Sequence, residues 1–332
     1  MINEQEAWAA EIAEHIHKQF RLSVNQAIPI DKGWLNVKWR METDHGPIFV
    51  KYYHPDRYKF HLHPERKLEI QKTLVLQHEL SLAGVRCPSV HQHKDQVIQV
   101  TSTGLHYAVL DWVDGHTMPA GCLSEDHMVE IGQHTGKMHN RLRSVKPLDK
   151  PAWQPDKEAY LSEWRNNWER SKQAGDEIAL EWQARSLQLV QSLDFQMFGA
   201  SPVGWLHWDL WVDNILVNGQ KLAGIVDFDR MTMAYQEIDV ARAILSGALH
   251  DGKLRMDAVQ SFIEGYRQHM ELPRGFLIRS IGMLYLIESN WWLRTEVRAE
   301  SNLRDLLARF IEEMHWIEEN LGTLQDQLGS LE

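Results

Sequence analysis

One segment, between residues 207 and 229, constrains the fold of this chain more than any other. It reads His207-Trp208-Asp209-Leu210-Trp211-Val212-Asp213-Asn214 and continues through two apolar runs to Asp227-Phe228-Asp229. The two runs, 215–217 and 222–226, flank Asn218-Gly219, a dipeptide typical of tight hairpin turns. The segment therefore predicts a short hairpin with polar side chains fixed at both of its ends.

The polar residues at the two ends of this hairpin suit phosphoryl transfer from a magnesium nucleotide. That reaction needs a base to orient the acceptor hydroxyl and oxygen ligands to hold the metal, but little covalent chemistry from the protein. Asp209 is the candidate base, and Asn214 and Asp227 are the candidate magnesium ligands. Short polar side chains are also common as ordinary turn and cap residues. The complete set in this order favours the catalytic interpretation.

The N-terminal third of the chain alternates between helical and strand patterns. Its apolar spacing predicts a helix over residues 4–20, a hairpin over 34–53, a helix over 64–83 and a second strand pair over 97–113. Beyond Asp114-Gly115 the pattern is mainly helical and begins with a helix over 124–142, for which Ser124 is the candidate cap. The change of pattern predicts two lobes.

A lysine lies in the second strand of the first hairpin, among apolar neighbours. Phe49, Lys51 and Tyr53 alternate onto one face of that strand. A lysine with no partner is costly in such a place, so Lys51 is predicted to have a function. In the following helix, Glu69 continues the apolar stripe, and Glu65 lies one turn earlier on the same face.

Taken in order, the strand lysine, the helix carboxylate, the apolar strand over 107–113 and the hairpin segment resemble the aminoglycoside phosphotransferase and choline kinase superfamily. This superfamily is a branch of the protein-kinase-like fold, and the resemblance covers nearly the whole chain. It implies an α+β, bilobal fold with a small mixed-sheet N-lobe over 1–113, a hinge at about 110–116 and a larger, mainly helical C-lobe over 114–332. It also implies ATP and Mg²⁺ as cofactors, bound in the cleft between the lobes.

The resemblance further implies a role for each candidate residue. Lys51 would hold the α- and β-phosphates and pair with Glu69, or with Glu65 as the alternative. The backbone of residues 111–113 would bind adenine, and residues 33–36 would turn over the phosphates. The implied site residues are Asp209 and Lys51 for catalysis, Lys51, Glu69, Gly33, Asn36, Asp111 and Val113 for the nucleotide, and Asn214 and Asp227 for the metal.

Trp208 departs from the family pattern, which usually has glycine between the His and Asp of this catalytic loop (residues 207–214). Protein kinases have arginine there, glycine where this chain has Asp229, and an activation segment that this chain lacks. A small-molecule hydroxyl acceptor is therefore expected, not a protein. Trp208 also keeps an alternative open, a nucleotide-binding pseudokinase that acts as a structural or interaction protein.

The charge balance bears on the partners of the protein. The chain has 35 Lys and Arg against 46 Asp and Glu, a net charge of −11, which disfavours nucleic acid and anionic membranes as partners. This charge, Trp211 and Asp213 in the catalytic loop, and Glu288 beside Trp291-Trp292 favour a cationic acceptor such as an amino sugar or amino alcohol. A sugar or a hydroxy amino acid would also fit.

The same composition bears on the compartment. Two cysteines cannot form a disulfide framework, and the N-terminus lacks the profile of an export signal. The longest apolar stretch, over residues 276–287, is shorter than the ~20 residues of a membrane helix and is expected to be a core helix. A cytoplasmic protein is expected, and its oligomeric state is left open.

Overall fold

The computed structural model describes residues 4–30 and 37–324 of the chain. It divides into two compact units, the first comprising Met1–Gly115 and Ala223–Asp229, the second His116–Leu222 and Arg230–Glu332. The main boundary, after Gly115, falls inside the predicted hinge. The return of Ala223–Asp229 to the first unit differs from the predicted division at residue 113, and part of its cause is a hydrogen bond from the Ile225 N–H to the Arg86 carbonyl.

The first unit is built on a five-stranded sheet with strand order β1-β2-β3-β5-β4. Its elements are α1 (Glu4–Phe20), β1 (Val24–Pro29), β2 (Val37–Thr43), β3 (Gly46–Tyr52), α2 (Pro55–Tyr58), α3 (Pro64–Leu82), β4 (Gln99–Val100) and β5 (His106–Asp111). Every described pair of neighbouring strands is antiparallel, so the predicted mixed sheet is wrong. Strand β5 lies between β3 and β4 and is antiparallel to both of them.

The alternation of side chains in β2 and β3 gives this sheet two different faces. Trp39 of β2 and Val50 of β3 pack with Ile12 and Ile16 of α1 in one apolar core. Burial of each such side chain stabilises the fold by roughly 1.5–3 kcal/mol. The residues that alternate with these point to the other face of the sheet, and Lys51 is among them.

The second unit is mainly helical. Its elements are α4 (Glu125–Leu142), α5 (Lys157–Ala174), α6 (Glu177–Ser192), β6 (Val203–Leu206), β7 (Ile215–Asn218), β8 (Lys221–Ile225), β9 (Thr232–Tyr235), α7 (Glu237–Ala248), β10 (Leu249–His250), β11 (Lys253–Leu254), α8 (Met256–Tyr266), α9 (Phe276–Trp292), α10 (Thr295–Ala299) and α11 (Arg304–Asn320). Short 3-10 turns cover Phe195–Ala200, Val212–Asn214, Phe228–Arg230 and Ser301–Leu303. Strands β7 and β8 form the predicted hairpin, and β8 leads from the second unit into the first.

Local sequence signals explain several of these helices. The Ser124 side chain accepts a hydrogen bond from the His127 N–H and so caps α4 as predicted. Helices α4 and α8 approach closely where Gly132 and Gly265 face the other helix. A Cβ on either glycine would lie 2.0 Å from a backbone oxygen of that helix, so only glycine allows this distance. Helix α9 is largely buried and is the predicted core helix. Among the residues that the structure describes, no helix is both long enough and apolar enough to cross a bilayer.

Candidate functional site

The ammonium group of Lys51 is held by two carboxylates that follow the hairpin. Lys51 is 4% exposed, and its Nζ lies 3.3 Å from Oδ1 of Asp227 and donates a second hydrogen bond to Oδ2 of Asp229. Burial alone would lower the pKa of Lys51, but the charges of Asp229 and Asp227 outweigh it and raise the pKa above its ordinary value. Lys51 is therefore a cation at physiological pH, fixed beside the carboxylate predicted to bind metal.

Asp227 is held in an unusual backbone conformation at this place. Its φ is +63°, in the left-handed region that residues with a Cβ rarely adopt. Such conformations cost about 1–3 kcal/mol and are concentrated at functional sites. The contact with Lys51 holds the Asp227 side chain in this conformation.

The predicted pairing of Lys51 with Glu69 is wrong. Glu69 is exposed, and so is the alternative Glu65, whose carboxylate lies 3.1 Å from Nδ1 of His63. The buried face of α3 begins only at Thr73, so the apolar stripe does not extend back to the first two turns. The carboxylates that meet Lys51 instead come from a distant part of the sequence.

The structure adds a second lysine that was not among the predicted site residues. Lys38 of β2 lies directly opposite Lys51 in the β2–β3 register, and its Nζ is 3.8 Å from Oδ2 of Asp227. Burial lowers the pKa of Lys38, and Asp227 opposes this shift. We refer to Lys38, Lys51, Asp227 and Asp229 as the lysine–aspartate cluster. The two-residue turn of the hairpin was the signal that could have placed Lys38 opposite Lys51.

The predicted adenine-binding backbone is partly committed to other contacts. The Asp111 N–H donates to the Ser89 carbonyl at 2.9 Å, and the Asp111 carboxylate lies 2.8 Å from Nε2 of His91. The N–H of Asp111 is therefore occupied, and the contact of the 111–113 backbone with adenine stays a prediction. Val113 packs against Gly224, where an added Cβ would lie 3.2 Å from Cγ1 of Val113. Gly33 and Asn36 lie outside the described residues.

In the second unit, one buried carboxylate anchors the start of the catalytic loop. Asp239 is fully buried and accepts hydrogen bonds from the His207 N–H at 2.7 Å and the Trp208 N–H at 2.8 Å. Nε2 of His139 lies 3.1 Å from the same carboxylate. The φ of Trp208 is +71°, which explains why the family pattern has glycine at this position. Asp239 acts here as a loop anchor.

Asp209 and Asn214 contact each other within the catalytic loop. Nδ2 of Asn214 donates to the Asp209 carbonyl at 2.9 Å and to Asp209 Oδ2 at 3.3 Å. The Asp209 N–H in turn donates to Nδ1 of His207 at 3.3 Å, so His207 braces the loop. With its amide nitrogen turned to Asp209, Asn214 directs its oxygen elsewhere. Amide and carboxylate oxygens are the donors that Mg²⁺ prefers, so Asn214 and Asp227 each fit the metal by chemistry.

Aromatic rings continue from the catalytic loop into the second unit. Trp211 stacks on Phe310 with centroids 5.2 Å apart, and Phe310 stacks on Trp292 at 4.1 Å. The Trp292 indole N–H donates to Glu288 at 2.5 Å, and Arg242 forms an ion pair with the same carboxylate. These residues thus form one packed wall next to the candidate base.

This wall does not include every residue predicted for the acceptor site. Trp291 is 53% exposed, and the guanidinium of Arg294 lies 3.7 Å above its ring. The charge of Glu288 is already balanced by Arg242, whose pKa is raised because Glu288 and then Asp209 outweigh the effect of burial. Glu288 and Trp291 therefore do not form the predicted cation site together.

Comparison with known proteins identifies the family. A sequence model of the phosphotransferase enzyme family matches residues 26–276, most of the chain. The chain belongs to the phosphotransferase enzyme family. This membership confirms the predicted superfamily, and the family match includes both the lysine–aspartate cluster and the catalytic loop.

Curated relatives of this phosphotransferase include bacterial homoserine kinases. The protein of Sinorhizobium medicae is 28% identical over 203 residues, which cover 58% of this chain and 57% of that protein. The protein of Rhizobium etli is 23% identical over 242 residues, which cover 72% of this chain and 70% of that protein.

Solved structures confirm the predicted protein-kinase-like fold of this phosphotransferase. An amicoumacin kinase in complex with AMP-PNP, Ca²⁺ and Ami has a TM-score of 0.61 at 15% identity, covering 96% of each chain. A microcompartment-associated aminopropanol kinase has a TM-score of 0.60 at 18% identity, covering 97% of this chain and 98% of that one. The choline kinase of Cryptosporidium parvum has a TM-score of 0.60 at 14% identity, covering 97% of this chain and 99% of that one.

Proposed function

We propose that this phosphotransferase is an ATP- and Mg²⁺-dependent kinase that transfers the γ-phosphoryl group to a hydroxyl of a small molecule. The observation that carries the proposal is the lysine–aspartate cluster, in which a buried strand lysine meets the carboxylate that follows the hairpin. A scaffold protein has no chemical need for a buried ammonium, a strained aspartate and an anchored catalytic loop together. The nucleotide-bound amicoumacin kinase of the same fold supports the choice of cofactor.

Each candidate residue has a separate role in the proposed phosphoryl transfer. Asp209 accepts the hydroxyl proton of the acceptor, whose oxygen bonds to the γ-phosphorus as the bond to the departing ADP oxygen breaks. Asn214 donates to Asp209 and holds its carboxylate in place. Lys51 neutralises phosphate charge. Asn214 and Asp227 would hold magnesium, which when bound stabilises the negative charge of the transferred group.

Two single variants test this division of roles. Asp209→Asn is expected to bind Mg-ATP as the wild type does but to lose phosphoryl transfer, because Asp209 is assigned to the acceptor hydroxyl. Asp227→Ala is expected to weaken metal-dependent nucleotide binding itself, because a charged magnesium ligand is lost. Calorimetry with Mg-ATP and ADP release measure the two effects. Near-normal turnover of Asp209→Asn, or unchanged Mg-ATP affinity of Asp227→Ala, contradicts the assignment.

We further propose that the acceptor carries an amine. Homoserine, aminopropanol and choline, named for the related proteins, all contain a cationic nitrogen. The net charge of −11 attracts cations, and Asp213 places an exposed carboxylate four residues after the candidate base. The acceptor charge would therefore be met by Asp213 and the surrounding field, not by the paired Glu288.

Ionic strength and one substitution test the amine. The acceptor KM is expected to rise with salt, because exposed charges are screened over ~8 Å at physiological ionic strength. Asp213→Asn is expected to raise this KM a few-fold, roughly the effect of one exposed ion pair. Asp149→Asn, at an exposed loop position, is the matched control. A neutral acceptor with a salt-independent KM refutes the amine and leaves the kinase proposal standing, whereas no ADP release with any hydroxyl compound favours the pseudokinase alternative.

A further inference from the structure

Two lysines face each other across the first hairpin. The register pairs Lys38 of β2 with Lys51 of β3, and directly opposite residues of an antiparallel pair place their side chains on the same face of the sheet. Like charges in this arrangement destabilise a sheet. The sequence thus contains a repulsion that folding alone does not require.

Burial increases the cost of this pair. The side chain of Lys38 is 12% exposed and that of Lys51 is 5% exposed. Burial is the largest cause of the lowered pKa of Lys38, the charge of Lys51 lowers it further, and Asp227 and Asp229 oppose the shift. A neutral residue at position 38 would remove both costs.

The two carboxylates of the cluster offset these costs in the structure. Nζ of Lys38 lies 3.8 Å from Oδ2 of Asp227, and Nζ of Lys51 lies 3.3 Å from Oδ1 of the same side chain. If Asp227 holds magnesium, its oxygens are shared with the metal and its hold on both lysines weakens. A magnesium nucleotide still carries net negative charge, and phosphate oxygens are the anions that lysine binds as a point charge.

We propose that Lys38 is a second phosphate-binding residue, whose ammonium donates to phosphate oxygens of the nucleotide together with Lys51. This inference rests on the proposed function, since it assumes a nucleotide at the lysine–aspartate cluster. Phosphate binding explains why β2 has a largely buried lysine opposite another lysine. The interaction of Lys38 with Asp227 does not by itself explain why a second lysine is present.

Nucleotides that differ only in phosphate number test the proposal. Dissociation constants of Mg-ATP, Mg-ADP and AMP are measured by calorimetry for the wild type, Lys38→Met, Lys38→Gln and Lys38→Arg. The neutral variants are expected to bind Mg-ATP about 10- to 100-fold more weakly, the effect of one hydrogen bond to a charged group. AMP binding is expected to change less than about 2-fold, and Lys38→Arg to recover most of the Mg-ATP affinity because it restores the charge. Lys18→Met, an exposed lysine of α1 that pairs with Glu14, removes the same charge and should bind like the wild type.

The outcomes separate this inference from the proposed function. An equal loss for Mg-ATP and AMP means that Lys38 only supports the fold, and unchanged Mg-ATP affinity means that Lys38 does not touch phosphate; each result overturns the inference. If Lys38→Met does not fold, Lys38→Gln and Lys38→Arg still give the comparison. If the wild type itself binds no Mg-ATP, the proposed function fails first.

Discussion

Replacing Trp208 by glycine and, separately, by alanine tests whether the backbone of the catalytic loop is strained. Both variants lose the same indole contacts, so the difference between them reports on the backbone alone. The φ of Trp208 is +71°, and the N–H of this residue is fixed by the carboxylate of Asp239. The loop therefore cannot relax to an ordinary conformation without giving up a buried hydrogen bond to a charged group.

The expected magnitude follows from two opposing effects. A residue with a Cβ in the left-handed region costs roughly 1–2 kcal/mol relative to glycine. Glycine loses more conformational entropy on folding, which at an ordinary position makes alanine more stable by about 0.4–1 kcal/mol. The left-handed cost is the larger, so Trp208→Gly is expected to be more stable than Trp208→Ala by about 1 kcal/mol.

The measurement is the free energy of unfolding in urea, with the midpoint of thermal unfolding as a second readout. A difference of 1 kcal/mol corresponds to roughly 2–4 °C in a domain of 150–250 residues. Val75, exposed in the interior of α3, supplies the control pair, where alanine should be more stable than glycine by about 1 kcal/mol. The difference in stability between the glycine and alanine variants must therefore have opposite signs at the two sites. A Trp208→Ala variant at least as stable as Trp208→Gly refutes the argument from strain.

Two further predictions concern buried carboxylates of the second unit. Asp239→Asn keeps the shape of the side chain but leaves one of the two loop N–H groups facing an amide NH₂, so the free energy of unfolding is expected to fall by about 3 kcal/mol. The kcat is expected to fall as well, while the nucleotide KM stays near the wild-type value. A variant with normal kcat contradicts the anchoring role. Burial raises the pKa of Glu313 to about 7 against the opposing charges of Arg309 and Arg242. The folded state therefore binds this proton more tightly than the unfolded state, and the stability it contributes is present below about pH 4.5 and lost as the pH rises to about 7. Urea unfolding from pH 5 to 8 should show Glu313→Gln gaining up to about 3 kcal/mol relative to the wild type, and a flat difference would count against the raised pKa.

Much of the local structure was predictable because its causes lie within a few residues. The Ser124 cap, the end of α3 before Gly84 and the turn at Asn218-Gly219 depend on side chains and backbone preferences of neighbouring residues. The spacing of Asp209 and Asn214 likewise places them in one loop, where they contact each other. Their roles in catalysis stay predictions.

Two predictions were wrong, the pairing of Lys51 with Glu69 and the mixed sheet, because each depends on tertiary contacts that a local pattern does not show. The stripe of α3 pointed back to Glu69, but the buried face begins at Thr73, since only tertiary contacts decide how far along a helix the core extends. The mixed sheet was wrong because the direction of a strand depends on the path of the connecting chain, and β5 is antiparallel to both β3 and β4.

The sequence by itself determined that this chain is a member of a kinase-like family, because the order and spacing of its polar motif residues can be read without any knowledge of the fold. These residues are Lys51, Asp209, Asn214 and Asp227. Only the tertiary structure decided which charges meet. Lys51 is 176 residues from Asp227 and 178 from Asp229, and no local periodicity relates groups so far apart. The return of Ala223–Asp229 to the first unit brings them together. Burial then makes the pairing obligatory, because an ammonium removed from water needs a carboxylate within hydrogen-bonding distance.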